Sequence, residues 1–169
     1  LSAPTARKTT IALKLLMAVT GAFFVLYVLL HMYGNLKVLA GQEAFDTYAH
    51  HLRTFGEPML PYGGLLWIFR ILLLGSLIGH AYAAFTLWSR AGSARKTKYA
   101  VLKTAASAQW MRWGGVAILL FVVWHLIHFT IVKPAVNPEV SAQAVQDSPY
   151  VMVVASFQLW WMVLIYVLA

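Results

Sequence analysis

The fold is decided by residues 11–39, which read IALKLLMAVTGAFFVLYVLLHMYGNLKVL. Charge enters this stretch only at Lys14 and Lys37, near its two ends. At about 1.5 Å per residue, a helix of this length crosses the ~30 Å of hydrocarbon in a bilayer. Because backbone polar groups in lipid must be paired within their own segment, the stretch is predicted to be a transmembrane helix.

Three further apolar stretches follow, at about residues 60–88, 113–132 and 150–169, and Arg70 is the one charged residue inside them. The sequence is 61% hydrophobic and has 13 basic and 5 acidic residues, which excludes a soluble globular domain. It contains no cysteine, which excludes disulfides and thiolate-held metal centres. We expect an all-α transmembrane bundle, with residues 1–169 as a single membrane-anchor domain in the cell inner (plasma) membrane.

The charges predict the orientation of the bundle. Nine basic residues and no acidic one lie on one side of the membrane, in the N-terminal segment, at the start of the first span and in the loop at residues 90–112. Lys37, Arg53 and Lys133 lie on the other side, together with all five acidic residues. The positive-inside rule then places the N-terminus and the 90–112 loop in the cytoplasm. Since topology explains the basic excess, we do not expect a nucleic-acid partner.

The connection at residues 41–61 is amphipathic. Phe45, Tyr48, Ala49, Leu52 and Phe55 recur at three- and four-residue spacing, which predicts a short helix at the membrane interface. The Gly-Glu-Pro sequence at residues 56–58 is expected to end that helix.

Histidines occur in three of the four spans, and ionisable groups inside a membrane are functional candidates. With the spans antiparallel in turn, His31 and His125 lie about 8 and 5 Å from the membrane centre toward the outer face. His80 lies about 8 Å toward the cytoplasm, roughly 12–15 Å deeper than the other two. His31 and His125 therefore share a level. His128 shares a helix face with His125, and spacing alone allows either one to face His31.

Two imidazoles at one level on facing helices can supply both axial ligands of a haem. A porphyrin between helices also needs small residues nearby; Gly34 lies one turn from His31, and Gly75 and Gly79 precede His80. Zinc is a weaker alternative, because it needs three or four clustered ligands. The second histidine of the third span is free to bind a haem propionate, bind a quinone or pack in the bundle.

Several segments together resemble one family. They are HMYGNLK at 31–37, YAHHLRTFGEP at 48–58, LWIFR at 66–70, HA at 80–81, MRWGGV at 111–116, WH at 124–125, and the stretch at 150–169. Their order and register over nearly the whole chain resemble the dihaem cytochrome b membrane anchor of actinobacterial succinate dehydrogenase and fumarate reductase.

The resemblance implies five transmembrane helices that hold two b-type haems, with the first helix paired to the third and the second to the fourth. His31, His125 and His80 would be axial ligands, and His125 occupies the family's ligand position ahead of His128. Electrons would pass from a flavoprotein and an iron–sulfur subunit on the cytoplasmic side to a quinone, expected to be menaquinone. No dehydrogenase active site is expected on this chain.

Four charged residues are further candidates. Arg70 lies about 8 Å from the middle of its span at the level of His31, where a haem propionate is a natural partner and snorkelling to the interface is the alternative. Arg53 is a second candidate for that haem. Glu57 at the outer mouth is a candidate proton carrier for the quinone, or a solvated loop residue. Arg112 is expected near the inner haem, in a loop that faces the iron–sulfur subunit.

Two other functions stay open: an anchor for another quinone-linked dehydrogenase, and a haem-free transporter fragment with a histidine relay. We also expect the chain to be incomplete, since it begins with Leu1 and ends inside an apolar run. For a straight fourth helix, the position level with His80 falls near Leu168, so its partner histidine is expected soon after Ala169.

Overall fold

The structure is a computed structural model that describes residues 9–93 and 106–169. Every regular element in these ranges is helical, as predicted. The chain divides into two compact units, formed by the described parts of Leu1–Lys37 with Tyr48–Tyr99 and of Val38–Thr47 with Ala100–Ala169. The helices are α1 (Thr10–Leu36), α2 (Gln42–Thr54), α3 (Gly64–Ser93), α4 (Ala106–Leu126), α5 (Ala142–Asp147), α6 (Pro149–Phe157) and α7 (Trp160–Leu168), with a 3₁₀ turn at Lys37–Ala40 and a π-helical turn at Ile127–Ile131.

Three of these segments are long and apolar enough to cross a membrane. They are Thr10–Ala40, Gly64–Ser93 and Gln109–Ile131, and they confirm the first three predicted spans. Their side chains are largely uncovered within the described chain, as Leu29 and Leu72 illustrate. An uncovered apolar surface of this kind is what a lipid environment requires of a spanning helix.

The fourth predicted span is not the single straight helix that the sequence suggested. Residues 149–168 form α6 and α7, which meet at an angle of 94° across Gln158 and Leu159. Each helix has nine residues and is about 14 Å long, too short to cross a bilayer alone. The pair can therefore count as a fourth span only if it is a broken one. The expectation that Leu168 lies level with His80 was calculated for a straight helix, and the bend removes that premise.

One backbone carbonyl at this bend accepts a hydrogen bond from a residue outside the two helices. The Ala155 carbonyl lies in the last turn of α6, and it accepts a hydrogen bond of 3.1 Å from the side-chain amide of buried Asn137. The side-chain oxygen of Gln158 accepts a second hydrogen bond, of 3.2 Å, from the same Asn137 amide group. Since an unpaired buried carbonyl is costly, Asn137 stabilises the bend.

In the first unit, α1 and α3 pack antiparallel through small residues. Arg90 donates to the Thr10 hydroxyl at one end of the pair, and Thr20 contacts His80 further along. Ala83 is fully buried. A Cβ added to Gly79 would lie 3.8 Å from the Leu16 side chain, in van der Waals contact with it. Small side chains at these positions let the two helix backbones approach closely.

The short amphipathic helix predicted in the 41–61 connection is confirmed as α2. It ends at Thr54, and the chain turns at Gly56, whose φ of 96° is a conformation that favours glycine. The Gly63 amide donates to the Arg53 carbonyl at 2.6 Å, which closes the turn before α3 begins.

In the second unit, the end of α4 and the π-helical turn pack on α6 and α7 around His128, which is completely buried. The rings of Trp124, Phe129 and Tyr166 contact His128, and Tyr166 also packs edge-on against Phe121, Phe129 and Phe157. The buried Ser148 caps the start of α6 and donates to Asp46 at 2.6 Å.

Candidate functional site

His80 lies on α3 and faces α1 inside the first unit. Its Nδ1 atom is 2.8 Å from the Thr20 hydroxyl, and its ring meets Phe24 edge-on at 5.6 Å. A Cβ added to Gly21 would lie 3.7 Å from the His80 Cε1 atom, so the ring is seated directly over this glycine. Thr20 is eleven residues before His31 on α1, or about 16 Å along the helix. His80 and His31 are thus at different levels of the α1–α3 pair.

The hydrogen bonds of Thr20 determine which nitrogen of His80 carries the proton. The Thr20 hydroxyl has one hydrogen, and the Leu16 carbonyl at 2.6 Å can only accept it. The Thr20 oxygen must then accept from His80, so Nδ1 carries the proton and Nε2 carries the lone pair. A neutral imidazole with Nε2 open to a metal is the form that binds haem iron.

His31 is exposed near the C-terminal end of α1, beside Tyr27. The Asn35 side-chain amide donates both to the His31 carbonyl and to Nδ1, each at 2.9 Å. With Nδ1 as the acceptor, Nε2 carries the proton. Iron binding through Nε2 would require the opposite tautomer and a rotated Asn35 amide.

His128 has both ring nitrogens engaged by neighbouring side chains. Nε2 is 3.0 Å from the Ser156 hydroxyl, and Nδ1 is 3.0 Å from the Tyr166 hydroxyl. Ser156 donates its hydrogen to the Met152 carbonyl at 2.7 Å, so it accepts from Nε2 and leaves Nδ1 to accept from Tyr166. In this arrangement neither nitrogen is available to iron, a propionate or a quinone, which favours His125 as the ligand on this segment.

His125 lies one turn before His128 in the same aromatic cluster. Its Nδ1 is 3.5 Å from the Tyr166 hydroxyl, a long hydrogen bond, and its ring contacts Phe121 and Phe129. Because Tyr166 donates to His128, its hydroxyl can only accept from His125. His31 belongs to the first unit and His125 to the second, and their pairing across one haem stays a prediction.

Three of the charged candidates, Arg53, Arg70 and Arg112, lie in helices, and Glu57 lies in a turn. The Arg70 guanidinium is exposed and lies 5.1 Å from the Trp67 ring, a cation–π contact that offers it a partner besides a propionate. Arg53 donates to the Ala49 carbonyl at 2.6 Å, and Glu57 is exposed in the turn before α3. Arg112 is half-buried in α4. Residues 94–105, which hold most of the predicted docking loop, lie outside the described residues, as do Arg7 and Lys8.

The small residues near the histidines have different surroundings. Gly34 was expected to make room for a porphyrin beside His31, but the Tyr48 ring covers it, so its missing side chain accommodates α2. Gly79 packs on Leu16, whereas no described atom lies within 4 Å of a Cβ placed on Gly75. Of these three glycines, only Gly75 has no described atom nearby, which leaves space for a planar group beside α3, the helix that carries His80.

The donor chemistry at His80 fits a haem. Within residues 9–93 and 106–169 there is no group of three or more histidine, aspartate or glutamate side chains that could hold a metal ion. A haem iron needs only one or two axial imidazoles because the porphyrin supplies the other donors. His80 meets this requirement with its Nδ1 held by Thr20, and five residues earlier on α3 no described atom lies within 4 Å of a Cβ placed on Gly75.

Comparisons of the chain with models of known families, with curated proteins and with solved structures give no match. The likeness to the cytochrome b anchors therefore depends on the quoted sequence segments.

The sequence prediction missed four hydrogen-bond partners of the histidines: Thr20, Asn35, Ser156 and Tyr166. Of these, Thr20 had a detectable signal, because it is a polar residue of the first span at the depth calculated for His80. Ser156 and Tyr166 had none, since their approach to His128 depends on the bend between α6 and α7. Trp124 was also missed, and its indole Nε1 is the one buried side-chain nitrogen or oxygen in the described chain without a hydrogen-bond partner.

Proposed function

We propose that the chain is the haem b-binding membrane anchor of a succinate dehydrogenase or fumarate reductase. It would pass electrons between an iron–sulfur subunit and menaquinone. The observation that carries the proposal is His80 in a helix pair of membrane-spanning length, with Nδ1 held by Thr20 and the lone pair on Nε2. Iron ligation uses the nitrogen lone pair of an imidazole, and in this arrangement Nε2 carries it.

In this proposal the chain binds and orients two haems. His80 would hold one, and His31 with His125 would hold the other. Arg70 and Arg53 would neutralise propionates of the second haem, Arg112 would lie near the first, and His128 would support His125 through Tyr166. Bound haem would supply reversible one-electron transfer.

The same proposal assigns the two ends of the bundle. The basic N-terminal and 90–112 segments would lie in the cytoplasm and face the iron–sulfur subunit, to which the flavoprotein binds. Glu57 would lie at the opposite side, in the turn before α3, where its exposed carboxylate could exchange protons with a quinone.

An optical spectrum and a pull-down test the proposal together. The chain, purified in detergent from its native membrane, should give a reduced-minus-oxidised spectrum of low-spin b-type haem and should retain a flavoprotein and an iron–sulfur protein. His80→Ala should lose one haem, whereas His51→Ala, at an exposed position on α2, should lose none. A purified chain without haem would refute the proposal.

An anchor for a different quinone-linked dehydrogenase would give the same spectrum. The identity of the co-purified catalytic subunit separates the two functions: a succinate-oxidising flavoprotein supports the proposal, and a hydrogenase or formate dehydrogenase subunit supports the alternative.

One observation favours the haem-free alternative, a proton relay. Ser156, His128, Tyr166 and His125 form a continuous series of contacts of 3.0, 3.0 and 3.5 Å through the second unit. Such a series can conduct protons in a transporter. Proton uptake into vesicles that contain the chain without haem, abolished by His128→Asn, would support this function instead.

A further inference from the structure

We infer that Thr20 is the positioning residue for His80: its hydroxyl accepts the Nδ1 proton and thereby presents Nε2 as the iron-binding nitrogen. The inference rests on the proposed function for the identity of the group that Nε2 binds. The direction of the hydrogen bond between Thr20 and His80 does not depend on which group Nε2 binds.

The direction of the hydrogen bond follows from the acceptors around Thr20. The Leu16 carbonyl is 2.6 Å from the hydroxyl oxygen and the Met17 carbonyl is 3.3 Å away, and neither has a hydrogen to give. If Thr20 donated to His80 instead, two oxygen acceptors would face each other at 2.6 Å without a proton between them. The hydroxyl therefore donates to its own helix and accepts from His80.

The burial of Thr20 protects this hydrogen bond from competition by water. Thr20 is only 7% exposed, in a helix of 27 residues, so water does not compete for its oxygen. Thr20, Gly21 and Phe24 lie on one face of α1 and form a seat for the imidazole: the hydroxyl holds Nδ1, the glycine admits the ring edge, and the phenyl ring contacts it edge-on. The seat fixes both the ring's orientation and its tautomer.

A partner of this kind changes the electronic properties of a metal ligand. Histidines that bind metals usually donate their other N–H to an acceptor, which orients the ring and raises its basicity. A more basic ligand stabilises ferric over ferrous iron. Removing the Thr20 hydroxyl should therefore raise the reduction potential of the His80 haem.

Nitrogen NMR of the full chain in lipid bilayers, prepared without haem and labelled with ¹⁵N-histidine, measures directly which nitrogen of His80 carries the proton. His80, assigned by its loss in His80→Gln, should carry its proton on Nδ1. Thr20→Val should shift the population toward the Nε2–H form, Thr20→Ser should retain Nδ1–H, and the matched control Thr86→Val on α3 should change nothing. A His80 protonated on Nε2 in the unmodified chain, or a tautomer unaffected by Thr20→Val, would overturn the inference.

Redox titration of the haem-loaded chain tests the consequence. Thr20→Val should shift the midpoint of one haem to a higher potential and leave the other unchanged, and Thr20→Ser should restore it. An unshifted midpoint would overturn the inference while leaving the haem-anchor proposal intact. A chain that binds no haem but shows the Nδ1 proton and its dependence on Thr20 would refute the haem-anchor proposal and uphold the role of Thr20 in positioning His80.

Discussion

The phenol ring of Tyr48 lies directly against the backbone of Gly34. A Cβ added to this glycine would come within 2.9 Å of the Tyr48 Cε1 atom, closer than side-chain carbons approach in folded proteins. Tyr48 also packs edge-on against Tyr33 at 6.4 Å. The second half of α2 is therefore held on the C-terminal part of α1 by a contact that requires glycine at position 34.

Gly34→Val should displace Tyr48 and destabilise the first unit by about 1–3 kcal/mol, the range typical of overpacking. The control is Gly115→Val, which is also in a long helix but has no described atom within 4 Å of the added Cβ. Thermal unfolding of the purified chain measures both. Gly34→Val with Tyr48→Ala should recover part of the loss, and equal effects of the two valine variants would show that the contact is unimportant.

His128→Leu should destabilise the second unit by about 1–3 kcal/mol, because it leaves the Ser156 and Tyr166 hydroxyls without their buried partner. His51→Leu replaces a histidine that is exposed on α2 and should have little effect. The thermal midpoint of each variant in the same detergent provides the comparison. Similar midpoints for the two variants would contradict the assignment of His128 as a packing residue.

Asp46→Asn should weaken the start of α6 by about 1 kcal/mol. The Asp46 carboxylate accepts from the Ser148 hydroxyl at 2.6 Å and from the Tyr150 amide at 3.0 Å, and a negative charge is favourable at a helix N-terminus. Asp147→Asn is the control, because Asp147 bonds only to exposed Gln143 within the described chain. Hydrogen exchange of the amides in residues 149–152 should accelerate in the first variant and not in the second.

Arg70→Leu should lower the reduction potential of one haem, since a nearby positive charge favours the reduced form. Trp67→Leu removes the cation–π contact without removing the charge, and it should leave the potential nearly unchanged. Redox titration of both variants distinguishes the two partners of Arg70. A potential that is insensitive to Arg70→Leu would leave Trp67 as the explanation for this arginine.

His31→Ala and His125→Ala should each remove the same haem from the optical spectrum and leave the other bound. His128→Asn is the control, because both nitrogens of His128 are engaged by Ser156 and Tyr166. The reduced-minus-oxidised spectrum per mole of chain reports the haem content. Loss of a haem in His128→Asn and its retention in His125→Ala would reverse the choice of ligand on this segment.

The parts of the fold that could be predicted from sequence are those with a local cause. A long apolar run must be helical in lipid, and the three- to four-residue spacing around Phe45 and Tyr48 indicates an amphipathic helix, so α1, α3, α4 and α2 were all foreseen. The bend in residues 149–168 was not, because neither proline nor glycine marks Gln158 or Leu159.

The candidate site divides in the same way. His80 was identified because ionisable residues are rare in spans, and its separation in depth from His31 agrees with its contact to Thr20. The tautomers could not be predicted. They depend on which carbonyl accepts from Thr20 or Ser156, and that is determined by the three-dimensional packing.

The right-angled corner between α6 and α7 has a consequence for solvation. Acyl chains cannot donate hydrogen bonds, so a carbonyl released from a helix inside the hydrocarbon region needs a protein or water donor. Asn137 lies outside the two helices, and its side-chain amide gives the Ala155 carbonyl the hydrogen bond that water would otherwise provide. Replacing its amide with a hydrocarbon side chain would turn the corner into a point of hydration, where water would enter a region of the chain that otherwise excludes it.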